Sequence, residues 1–338
     1  MTDYFRPLVQ IGPARPDTAV SLAGGWGWFT HAEVLSRSTP PRVVPAADIP
    51  ASVMARLTAP RPTMAGLTLD RPRIMGILNT TPDSFSDGGQ HNAVPDALRV
   101  AQEMVAAGAD ILDIGGESTR PGADFVPVSE EITRTAPVIA ALRGAGLQTP
   151  ISIDTRKAAV AEAAVSAGAN LVNDVSGFTF DPALGPLCQK MALPVCVMHA
   201  QGDPATMHLD PQYDNVLLDV FDALERQISM LEASGIPRGA ILADPGIGFG
   251  KTQDHNLALL ARLSLFHALG TPILLGVSRK RFIGTIGNAP QAQDRAPGSI
   301  AVALAGLGQG VQMIRVHDVD DTRQAVALWH AAYFGSIL

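Results

Sequence analysis

The chain has 338 residues, 46% of them hydrophobic, and a formal net charge of −7 at pH 7. That is ample for one large core. It carries no Lys/Arg run that would mark a nucleic-acid footprint, so a small anionic substrate would have to meet locally placed cations. The most apolar stretch, 300–308, is far short of the ~18 residues a membrane span requires. The first residues lack the basic start and apolar core of a signal peptide, and Cys188 and Cys196 have no framework spacing. A cytoplasmic protein with no membrane and no nucleic-acid partner is expected.

Residues 1–70 read as an N-terminal extension, rich in Pro, Ala and Arg, with Trp26 and Trp28 in a Gly-rich segment. The extension is expected to pack its aromatics on the larger C-terminal part of the chain and to close the N-terminal end of that part; the alternative is a partner-binding or regulatory role. From 71 to 338 the pattern is regular. Asn79 closes an apolar run at 74–78, and 117–120 come after the run 111–114. Asp154 closes 151–153, and Asn173 and Asp174 close 171–172. His199 closes 195–198 and Asp244 closes 241–243. Ser278, Arg279 and Lys280 come after 273–277, and Arg315 and His317 close 313–314. Helical patterns at 93–108, 129–144, 156–168, 181–192, 214–234, 254–269, 294–310 and 318–332 fill the gaps. Several end near Gly, as helix C-caps do. The strands are apolar throughout, which is the mark of parallel strands covered on both faces. Eight such units with polar strand ends predict an α/β fold, a (β/α)8 barrel with its chemistry on one rim.

Five constellations sit on that rim. The loop 79–89 is dense in oxygens and Gly, and Asn79 could offer a carbonyl oxygen to a hard cation; the alternative is a loop of local Asx and Ser/Thr caps. Arg120, between Gly and Pro in 115–122, is a candidate anion clamp or a solvated charge. Asp154, Asn173 and Asp244 are acids and amides at strand ends; singly they read as helix caps, but three on one rim suit a donor-bearing heterocycle. Ser278, Arg279, Lys280 and Arg281 come after the seventh strand, a phosphate-prone corner of this fold. Arg315 and His317, two apart and so on one face of a strand, read as a pyrophosphate grip. Gly246, Gly248, Gly250 and Lys251 mimic a phosphate loop, but its spacing needs Gly where Pro245 stands. No zinc spacing and no nucleophile elbow occur.

Taken in order, these motifs resemble the dihydropteroate synthase family from about 73 to 326. The pieces are 75–89, 113–122, 154–155, 173–177, 198–202, 244–251, 278–280 and 315–319. The resemblance implies a TIM barrel that joins 6-hydroxymethyl-7,8-dihydropterin diphosphate to 4-aminobenzoate, a second substrate that sulfonamides mimic. It implies that Asp154, Asn173, Asp244 and Lys280 hold the pterin, and that Asn79, Arg315 and His317 handle the diphosphate with Mg²⁺ at Asn79. It further implies that Thr119, Arg120, Ser278 and Phe249 border the aminobenzoate pocket once the first two loops close, with Asp87 and Asp154 near the developing positive charge. A homodimer is expected. Ala200, Arg281 and the extension depart from the family's usual pattern. A methyltransferase using the same pterin pocket would not need the cations at 278–280 and 315–317. A non-catalytic relative would be expected to lose Asn79, Lys280, Arg315 or His317, and this chain keeps all four.

Overall fold

Strands that are apolar at nearly every position must be covered on both faces, and a barrel does so with helices outside and its own strands closing round the inside. The computed structural model, which describes residues 3–80, 93–118, 125–202 and 210–337, does this. Ahead of the barrel come β1 (Tyr4–Pro7), β2 (Val20–Ser21), β3 (Trp28–Phe29), β4 (His31–Leu35), β5 (Arg42–Pro45) and α1 (Ala51–Thr58). Then strands and helices alternate: β6 (Arg73–Asn79), α2 (Ala93–Ala106), β7 (Ile111–Gly115), α3 (Val128–Gly144), β8 (Ile151–Asp154), α4 (Ala158–Ala167), β9 (Leu171–Asp174) and α5 (Leu184–Lys190). The second half continues with β10 (Val195–Met198), α6 (Val216–Ala233), β11 (Ile241–Asp244), α7 (Gln253–Leu260), β12 (Leu274–Leu275), α8 (Arg281–Ile286), α9 (Ala296–Gly308), β13 (Met313–Val316) and α10 (Val319–Phe334).

Among the described residues β6 to β13 form one eight-stranded sheet in the order β11-β10-β9-β8-β7-β6-β13-β12. Every pairing in it is parallel. A bridge from Ala243 to Ile273 joins its two edges and closes the barrel. The predicted (β/α)8 architecture is therefore present, with each strand where the apolar runs place it.

The short helix α8 lies in none of the predicted helical segments, and two predicted elements differ in extent. The seventh strand is predicted over 273–277, but its ladder with β13 spans only Leu274–Leu275, with the bridge to Ala243 at Ile273, and the chain then turns, with Arg279 at φ 56. The helix predicted over 254–269 stops at α7. Arg262 leaves helical geometry at φ −133, and Leu263–Leu269 continues as a 3-10 helix with every residue buried. Buried on all sides, that segment is wedged between the barrel and the extension, with Ser264 donating to the Pro7 carbonyl at 2.9 Å.

The extension is folded. β1, β4 and β5 make an antiparallel sheet, and β2 pairs with β3. Phe5, Leu22, Phe29, Val34 and Leu57 form a core that includes Ala268 of the wedged segment. Trp26 donates from Nε1 to the Leu307 carbonyl at 2.9 Å and meets Trp329 edge-on. Trp28 instead donates to the Gly12 carbonyl within the extension. Met64 and Leu69 pack on Met75, Ile111, Leu171, Leu242, Leu274 and Met313, the inward side chains at the N-terminal ends of their strands. They close that end of the barrel. No described helix is long and apolar enough to cross a membrane.

Candidate active site

Side chains alternate along a strand, so the inward set is fixed by parity. On β7 it is Ile111, Asp113 and Gly115; on β9, Leu171 and Asn173; on β11, Leu242 and Asp244; on β13, Met313 and Arg315. Inward positions are apolar at the N-terminal end and polar one or two steps later. Pairing aligns Asn79, Gly115, Asp154 and Asn173 in one row across four strands. Asp113 lies one inward step below that row, aligned with Ile77 and Ser152.

Arg315 reaches across the barrel to this row. Its Nε donates to Asp113 Oδ2 at 2.6 Å, and its guanidinium also donates to Asp154 Oδ2 at 2.8 Å. Asp113 is fully buried, and the same Oδ2 accepts from Asn173 Nδ2 at 3.0 Å. Arg315 is thus clamped by two carboxylates, a placement that its reading as a pyrophosphate grip with His317 does not include. Burial drives the Asp154 carboxyl well above the usual carboxylate range, and Arg315 opposes the shift. Asp154 does not cap α4, where Lys157 holds the N-cap position.

Asp244 closes β11. Its Oδ1 accepts from the Gly246 amide at 2.7 Å, so this carboxylate also holds a local turn. Burial pushes its pKa up to about 6, against the pull of that hydrogen bond and of the nearby Lys280, Lys251 and Arg315 charges. Lys280 lies with Nζ 4.0 Å from the centroid of the Phe249 ring, a cation–π contact that brings two of the sequence candidates together. Ser278 Oγ lies 2.9 Å from His317 Nδ1 and accepts from the His317 amide at 3.1 Å, which fixes the ring. The Asn79 side chain has no hydrogen bond to another described residue. Asp87, Thr119 and Arg120 lie outside the described residues.

The loop that mimics a phosphate cradle is held as a structural turn. Lys251 Nζ is buried and lies within 3.2 Å of the carbonyls of His199, Gly246 and Phe249, and 2.9 Å from His199 Nδ1. Burial lowers its pKa to about 7. Gly246 and Gly250 have positive φ, and a Cβ on Gly246 would fall 1.9 Å from the His199 carbonyl oxygen. The loop carries Phe249 toward Lys280. Arg279, an open candidate in the sequence, turns to Asp318 and forms an ion pair there. Arg281 is exposed.

Two features escape a reading by strand ends. Asp113 lies inside a strand, and its signal is a charge in an otherwise apolar run at the same parity as the polar rim. The second is a buried ion cluster beside β7. Lys157 Nζ contacts Glu131 at 2.6 Å and Glu117 at 3.1 Å, and Arg156 pairs with Glu117 at 3.0 Å. Its members come from three segments, and no local spacing announces it.

Residues 75–317 match the family model described as pterin binding enzyme. The fold and the rim together define a barrel enzyme of that class, and the chain belongs to the dihydropteroate synthase family within it. A dihydropteroate synthase of Synechocystis sp. is 44% identical over 257 residues, covering 75% of this chain and 89% of that protein. A solved Xanthomonas albilineans dihydropteroate synthase with 4-aminobenzoic acid superposes at a TM-score of 0.75 with 45% identity, covering 79% of this chain and 96% of that one. Another from the same organism, in complex with 7,8-dihydropteroate, superposes at 0.72 with 42% identity, covering 79% and 95%. The family match starts at Met75, beyond the extension.

Proposed function

We propose that this chain condenses 6-hydroxymethyl-7,8-dihydropterin diphosphate with 4-aminobenzoate, giving 7,8-dihydropteroate and pyrophosphate, at the mouth lined by Asp154, Asn173, Asp244, Lys280, Arg315 and His317. The observation that carries the reading is the hydrogen-bonded set Asn173–Asp113–Arg315–Asp154, set across a barrel mouth that also holds Asp244. An aminopyrimidinone ring presents N–H donors on one edge. Asp154, Asn173 and Asp244 offer acceptors to it, and Lys280 a donor to its ring oxygen or nitrogen.

In the reaction the bond between the pterin methylene carbon and the diphosphate oxygen breaks, and the electron pair leaves with the diphosphate. The electron-rich ring and the carboxylates beneath it stabilise the cation that develops. The aminobenzoate nitrogen then bonds to the methylene carbon and gives up one proton. No covalent bond to the protein is needed, because the aminobenzoate nitrogen is itself the nucleophile. Among the described residues Arg315 gives two of its five N–H donors to carboxylates, and its other donors would serve the ligand. His317, held by Ser278, supplies another donor toward the diphosphate.

Among the described residues no group of three or more His, Cys, Asp or Glu could hold a metal. Asn79 is a single oxygen donor, and that suits Mg²⁺, which is commonly held by one or two protein oxygens plus substrate phosphates. Bound there, Mg²⁺ would neutralise charge on the leaving diphosphate. A homodimer in the cytoplasm completes the proposal.

A pyrophosphate-release assay with both substrates tests the reading. Release should require both substrates and Mg²⁺. Release without 4-aminobenzoate at the full rate, or none with both, would refute it. Calorimetry with the pterin diphosphate should show tighter binding when Mg²⁺ is added.

A further inference from the structure

Asp113 touches neither solvent nor the open mouth, yet it joins two residues that do. It is fully buried one inward step below the row that carries Asp154 and Asn173. One oxygen, Oδ2, receives both Arg315 Nε and Asn173 Nδ2. The other, Oδ1, is buried with no hydrogen-bond partner among the described residues. Leaving a carboxylate oxygen unpaired is costly.

The chemistry of the two contacts fixes more than distance. A carboxylate only accepts, so the Asn173 amide must turn its nitrogen toward Asp113. Its oxygen is then the atom left for a ligand, and it takes no hydrogen bond from the described residues. The Arg315 guanidinium is planar, so holding Nε at Asp113 and a terminal nitrogen at Asp154 sets the orientation of the whole plane. With the amide turned the other way, an NH2 group would face the N–H edge of the ring, and two donors would oppose each other.

We infer that Asp113 is a positioning residue for the pterin: it sets the Asn173 amide with its oxygen toward the mouth and holds the plane of Arg315. The inference rests on the pterin reading of this mouth. It makes the pocket selective for a ring edge that donates, and it acts through Asn173 and Arg315 without touching substrate.

Two substitutions separate positioning from packing. Asp113→Leu fills similar space without an acceptor, and Asp113→Asn keeps one oxygen for both donors. Binding of 6-hydroxymethyl-7,8-dihydropterin diphosphate is measured by calorimetry, with thermal unfolding alongside. Wild type should bind best, Asp113→Asn next, and Asp113→Leu worst. The Leu variant should lose about 10- to 100-fold, the size expected when a hydrogen bond to a charged group is lost. Adding Asn173→Ala to Asp113→Leu should cost little more than either change alone, because the two act as one unit. A packing role predicts instead that Leu does at least as well as Asn. Binding by Asp113→Leu within about threefold of wild type, or losses that add in the double variant, would overturn the inference. Should Asp113→Leu not fold, Asp113→Ala takes its place in the same series. If wild type itself does not bind the pterin diphosphate, the reading of the mouth fails and this inference with it. If wild type binds and the Leu variant is unaffected, only the positioning role fails.

Discussion

The two ends of the barrel are built on the same strands with the same alternation, and they differ almost completely in content. At the N-terminal end the inward residues are Met75, Ile111, Leu171, Leu242, Leu274 and Met313, all essentially inaccessible and covered by Met64 and Leu69. One or two inward steps along the same strands stand Asn79, Asp113, Asn173, Asp244 and Arg315. The first layer gains stability from burial without any polar group to satisfy. The second places polar and charged groups in the barrel, where one another, a backbone amide or a ligand must satisfy them. Within the barrel the comparison separates two kinds of residue that burial alone would group together: those that hold it closed and those of the mouth proposed to bind the pterin.

The largest effect is expected from removing the cation at the mouth. Arg315→Ala strips Asp113 and Asp154 of their shared partner and leaves two buried carboxylates on adjacent strands. Pyrophosphate release should fall by at least about 10²-fold, and unfolding free energy by about 3–5 kcal/mol. Turnover within tenfold of wild type would remove Arg315 from the chemistry. At the other end, Leu242→Ala should cost about 2–5 kcal/mol through lost burial and a cavity. At a temperature where the variant stays folded, its kcat and KM should match wild type. Denaturant unfolding and steady-state kinetics check both halves, and a large kcat loss in Leu242→Ala would erase the distinction between the ends.

A pH titration sharpens the same contrast. The Asp244 pKa is raised by burial from 3.8 to about 6 in the folded protein. Because the folded value is the higher one, this group's contribution to stability is full below 3.8 and is lost as pH rises through about 6. Ligand binding runs the opposite way, since the ring edge needs an ionised acceptor. Affinity for the pterin should weaken as pH falls below about 6, and Asp244→Asn should flatten that part of the profile. An unchanged profile in the variant would assign the titration to another group.

The barrel is readable in the sequence because each strand announces itself as a short apolar run ending in a polar residue, and the eight runs supply the eight strands. The rim is readable for the same reason: Asp154, Asn173 and Asp244 are the residues at which the runs stop. Asp113 is not, because it interrupts a strand, and only knowing which face of β7 points inward shows that it belongs with the rim. Lys251 resembles a ligand of a phosphate loop, while three backbone carbonyls crowd its Nζ. The small sheet of β1, β4 and β5 leaves little trace because its strands are short and split by turns. Its partner surface, the wedged segment Leu263–Leu269, has the apolar content of an ordinary buried helix, and only the extension packed against it explains why all of its sides are covered.

The smallest expected effect concerns that extension, a third region made of the apolar chemistry of the closed end but laid on the outside of the barrel. Trp26 anchors it to α9 with one hydrogen bond, to the Leu307 carbonyl, and its ring meets Trp329 on α10 with centroids 6.5 Å apart. Trp26→Phe keeps an aromatic ring there and deletes the donor. The Leu307 carbonyl lies near the end of α9, where water can replace the lost partner in part, so the cost should be about 0.5–1.5 kcal/mol. Neither kcat nor pterin affinity should move, because the contact lies on the helical coat, away from the mouth proposed to carry the chemistry. Thermal unfolding combined with the pyrophosphate assay measures both. If the midpoint stays fixed while turnover drops, the extension is coupled to the mouth, and the clean division between a stabilising coat and a reactive rim no longer describes this molecule.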